Sequence, residues 1–60
     1  MKVATVPLTK PHPSIDVVLF ERTGVVRLTQ DDGDYLDVIV LSVDEVPNLI
    51  AALQAAQEQP

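Results

Sequence analysis

The residues best suited to chemistry are four carboxylates in one short stretch, Asp31, Asp32, Asp34 and Asp37. Paired carboxylates can divide acid and base roles between them, and several together can hold a hard cation through oxygen ligands. A calcium loop, however, places its glycine later and closes with a bidentate glutamate. Here Gly33 stands at the third position, counting from Asp31 as the first, and no glutamate follows within the stretch. Asp-Asp-Gly-Asp also suits a tight turn, because aspartate side chains accept hydrogen bonds from the backbone just ahead and glycine supplies the reversal. The turn is the simpler reading. His12 is the only histidine and sits between Pro11 and Pro13, so it reads as a solvated loop residue. With no cysteine there is neither a thiolate site nor a disulfide. Gly24 and Gly33 are the only glycines, too few for a phosphate-cradling loop. The chain therefore reads as a non-enzyme, with no catalytic set, no cofactor and no metal.

Charge narrows the partners. Four basic residues, Lys2, Lys10, Arg22 and Arg27, stand against nine acidic ones, for a net charge of −5. Phosphate backbones are held by several Lys/Arg contacts that release counterions. This composition argues against nucleic acid and against anionic membranes alike. Met1–Pro7 lacks the apolar run of a secretory leader, and no stretch approaches the roughly 20 apolar residues of a membrane span. The expectation is a cytoplasmic protein.

The chain reads as a single domain over residues 1–60. Pro7, Pro11 and Pro13 punctuate residues 1–14, which read as an extended arm or an edge strand, since proline cannot donate to a central ladder. Residues 15–42 read as a β-meander. Ile15 to Glu21 and Val25 to Gln30 are rich in β-branched groups and flank a turn at Arg22-Thr23-Gly24. After the acidic turn, Tyr35 to Ser42 forms the longest strand. Residues 44–57 read as a helix. Ser42 and Glu45 match a capping box, but Pro47 favours a start at Asp44, which puts the proline in the first turn where no donor is lost. Val46, Leu49, Ile50 and Leu53 then share one helical face. The expected fold is α+β, a three- to four-stranded antiparallel meander followed by one C-terminal α-helix.

Alternation along the strands gives each of them two apolar faces. One helix covers one face, and the predicted core sets Val46, Leu49, Ile50 and Leu53 on Leu36, Val38, Val40, Val17, Leu19, Val26 and Leu28. That leaves Val18, Phe20, Val25, Ile39 and Leu41 as a second patch, larger than monomers ordinarily expose. Glu21, Asp31, Asp32, Asp34 and Asp37 form its expected acidic rim. A second copy, another protein, or the N-terminal arm could cover it. A chain this short has a marginal core, so a homodimer is the leading expectation.

Leu41-Ser42-x-Asp44-Glu45, continued by Leu49-x-x-x-Leu53, resembles the last strand and helix of PC4-like single-stranded-DNA-binding domains. It is also similar to small bacteriophage-type strand–strand–helix proteins. Both resemblances cover roughly residues 25–56. The first implies a dimer that binds single-stranded nucleic acid, with Arg22, Arg27, Tyr35 and Phe20 as the available basic and stacking groups. The second implies a small phage-encoded regulatory protein. Combined with the charge, the expected function is a non-enzymatic interaction protein that docks its apolar patch and acidic rim on a basic surface of a host protein. Dimeric single-stranded nucleic-acid binding is the alternative.

Overall fold

The structure, a computed structural model, describes residues 1–59. Four strands, β1 (Lys2–Val6), β2 (Ile15–Phe20), β3 (Val25–Asp31) and β4 (Leu36–Ser42), form one antiparallel sheet in sequence order. A 3-10 turn (Val43–Glu45) leads from β4 into the helix α1 (Val46–Gln57). The α+β meander with a C-terminal helix is the architecture the sequence predicts.

Residues 2–6 are an edge strand, which decides between the two readings of the N-terminal segment. β1 pairs with β2 through Ala4↔Val17, Thr5↔Asp16 and Val6↔Ile15, with an irregularity between Lys2 and Ala4. Pro7 ends the strand at the sheet's margin, where its missing N–H costs no ladder bond. The following segment reverses at a turn in which the His12 N–H donates to the Thr9 carbonyl at 3.1 Å. The Lys10–Pro11 peptide within it is cis.

Both hairpins close through four-residue loops, since Phe20 pairs with Val25 and Asp31 with Leu36. In the first loop the Gly24 N–H donates to the Phe20 carbonyl at 2.9 Å, and Gly24 takes a φ of 64°. Glu21 belongs to this loop rather than to β2. In the second loop Gly33 has a φ of 96° and its N–H donates to the Asp31 carboxylate at 2.9 Å.

Two start signals compete at the helix, and the chain uses both. Glu45 reaches back to accept from the Ser42 N–H at 2.8 Å, and the Val46 N–H closes the 3-10 turn on the Val43 carbonyl. The α-helix proper begins at Val46, two residues later than the expected start at Asp44, with Pro47 in its first turn. A continuous α-helix from Ser42 would need a donor at Pro47 that proline lacks. The tighter 3-10 turn makes that donor unnecessary.

The expected core is absent. None of the described residues is buried, and α1 has no substantial packing partner beyond the 3-10 turn. Ile50 and Leu53 of the helical stripe are 49% and 61% exposed. The chain is a single-layer slab of 34 × 32 × 17 Å with a helix projecting from it. The predicted seat of the helix was also composite, because Leu36, Val38 and Val40 lie on the opposite side of the sheet from Val17, Leu19, Val26 and Leu28.

Candidate interaction faces

Cross-strand partners share a face, so the register divides the sheet. One row runs Ala4, Val17, Leu28 and Ile39, and a second runs Leu19, Val26 and Leu41. Val6 and Ile15 begin a third row, which ends in Gln30 and Asp37. Apart from Asp37 at this margin, the face carries no charge. We refer to it as the aliphatic face.

The other side is mixed. Its rows are Lys2, Val18, Arg27 and Val40, then Thr5, Asp16, Thr29 and Val38, with Phe20 beside Val25 and Leu36 beside Asp31. The Arg27 guanidinium lies over the Phe20 ring, 5.1 Å from its centroid, a cation–π contact made on a diagonal between β2 and β3. Asp16 accepts from the Thr5 hydroxyl at 2.9 Å and pairs with Lys2 at 3.7 Å. Arg27 Nε and Thr29 Oγ1 are enclosed by their neighbours and have no hydrogen-bond partner. Val38 and Val40 are 47% and 61% exposed.

The five residues predicted as one patch are therefore divided. Val18, Phe20 and Val25 lie on the mixed face, whereas Ile39 and Leu41 lie on the aliphatic face. The acidic rim is divided too. Glu21 sits in the β2–β3 loop, while Asp31, Asp32 and Asp34 sit at or in the β3–β4 loop. The length of β3 separates these two ends, roughly 20 Å at the usual rise per residue. Asp37 faces the aliphatic side. Sequence reasoning passed over the Arg27–Phe20 contact and the Lys2–Thr5–Asp16 group, which only the register assembles.

The Asp31 and Asp32 carboxylates at the β3–β4 loop are engaged with their own backbone. Asp32 accepts from the N–H groups of Asp34 and Tyr35 at 2.9 and 2.7 Å. These bonds, that from Tyr35 foremost, stabilise the ionised form and lower its pKa. Glu45 is lowered in the same way by the Ser42 N–H and then by the Ser42 side chain. Among the described residues no three His, Asp or Glu side chains converge as metal ligands do, and no helix is long and apolar enough to cross a membrane.

Compared with known protein families, with curated proteins and with solved structures, the chain matches none of them.

Proposed function

We propose that this chain is a small, non-enzymatic interaction protein of the phage regulatory kind, which binds a host protein through the mixed face of its sheet. The observation that carries this reading is the composition of that face. Val18, Val25, Val38 and Val40 surround the Arg27–Phe20 pair, with Lys2 and Asp16 at the margin. Interfaces that form and dissociate are no more apolar than ordinary surface, and arginine and aromatic groups are enriched in them. The acidic β3–β4 loop, with Asp31, Asp32 and Asp34, favours a basic target, since complementary charge speeds encounter and rejects wrong partners.

Capture from a host extract tests this, with the full chain as bait. Val38→Asp and Arg27→Glu should lose the captured protein, while Gln54→Ala, on the exposed side of α1, should keep it. Equal capture by all three would reject the mixed face as the binding surface.

Single-stranded nucleic-acid binding is the second reading. Arg27 on Phe20 favours it, because cationic and aromatic groups side by side suit base stacking. Asp16 beside Lys2 and the net charge of −5 work against it. Titration with a labelled oligonucleotide at low salt separates the two readings. Salt-sensitive micromolar binding would support the second and displace the first.

A further inference from the structure

No second layer packs on the aliphatic face, whose central residues are half-buried, and Ile50 and Leu53 of the helical stripe are largely exposed; each is the kind of surface that the other covers. Their sizes can be set against what a folded chain needs. A compact protein of 6.5 kDa exposes about 3,800 Å², whereas this chain exposes 5022 Å². The excess is about 1,200 Å². Its radius of gyration, 12.7 Å, likewise exceeds the roughly 10.4 Å of a compact chain of this length. Burying that excess on each of two chains removes about 2,400 Å² in total, within the range of obligate homodimers.

We infer that a second copy of this chain covers the aliphatic face, with α1 of each copy lying on the sheet of the other. This deepens the proposed function and rests on its division of the sheet, since the aliphatic face then serves self-association and the mixed face stays free for the target. Three observations select a second copy. The face is uncharged except for Asp37 at its margin, so the acidic net charge does not oppose self-pairing there, and an uncharged apolar centre is what homodimer interfaces carry. Direct sheet-on-sheet pairing would leave Ile50 and Leu53 exposed, whereas reciprocal placement covers stripe and face together under one two-fold axis. The connection from β4 to α1 is the three-residue 3-10 turn, capped by Glu45 on Ser42 and followed at once by Pro47. That connection leaves α1 clear of its own sheet.

The wild-type chain comes first, in sedimentation at tens of micromolar. A species of twice 6.5 kDa is expected, and a 6.5 kDa species alone would overturn the inference. The absence of cysteine then allows unambiguous trapping. Leu28→Cys places a thiol at the centre of the aliphatic face and Leu53→Cys places one on the stripe. Mixing the two single variants under mild oxidation should give mainly the mixed disulfide. A Leu28→Cys chain that couples chiefly to itself would indicate sheet-on-sheet pairing and overturn reciprocal placement. A Leu28→Cys/Leu53→Cys double variant that closes within one chain, without a dimer, would overturn it as well. Neither measurement involves the host protein, so a failure here is separate from a failure of target binding.

Discussion

Gly24 and Gly33 hold the two hairpins with φ values of 64° and 96°. Beyond the flanking residues, no atom lies within 4 Å of where a Cβ would stand at either glycine, so substitution there is limited by backbone conformation rather than by space. Left-handed backbone costs an L-residue roughly 1–2 kcal/mol. Gly24→Ala should therefore lose about 1 kcal/mol in urea unfolding, and Gly24→Asn should lose less, because asparagine visits that region more readily. Ionisation gives a second prediction. Asp32 and Glu45 have pKa values depressed by backbone donors, so their contribution is complete above the ordinary carboxylate pKa of about 4 and fades as pH falls through the lowered folded value. Asp32→Asn should lower Tm at pH 7, and its gap from wild type should shrink in acid. A gap constant from pH 7 to pH 3 would show that the turn bonds do not depend on charge.

Among the elements, α1 carries an unusual consequence. It leaves its own sheet uncovered, so within one chain its loss should leave the strands almost unaffected. A proline in a helix interior costs about 3 kcal/mol. Ala52→Pro should therefore remove the helical signal in circular dichroism. If a second copy seats the helix, the same variant should also lower the midpoint of sheet unfolding and leave a species sedimenting as a single chain. A helix that served only as an appendage would melt alone. The edge strand β1 is held differently, by its pairing to β2 and by bonds in both directions between Met1 and Leu19 at 2.8 Å.

For the whole molecule, an unfolded chain of this size must bury most of its apolar surface to balance conformational entropy. One copy alone leaves Ile39, Val40 and Leu53 about 60% exposed. Stability should thus depend on protein concentration, since association couples to folding by mass action. Tm should rise steadily across a hundredfold increase in concentration, and an invariant Tm would exclude a dimer as the stable form. Leu28→Asp, at the centre of the aliphatic face, should abolish the rise, whereas Val38→Asp on the mixed face should leave it intact.

The elements were legible in local sequence, because hairpins, caps and alternation are written in neighbouring residues. Asp31 to Asp34 announced a turn, Gly24 another, and Ser42 with Glu45 and Pro47 a helix start. The sequence also contained more of the face assignment than apolarity alone suggests. A four-residue loop pairs residues of opposite parity, setting Leu28 against Ile39 rather than against Val38 or Val40. Grouping each strand by its cleaner apolar side therefore placed β4 upside down relative to β2 and β3. The position of the helix was not legible in local sequence, since a stripe of Val46, Leu49, Ile50 and Leu53 is equally apolar whether it meets its own sheet or another. The short capped turn leaves α1 without a substantial seat on its own sheet, so no second layer covers the aliphatic face.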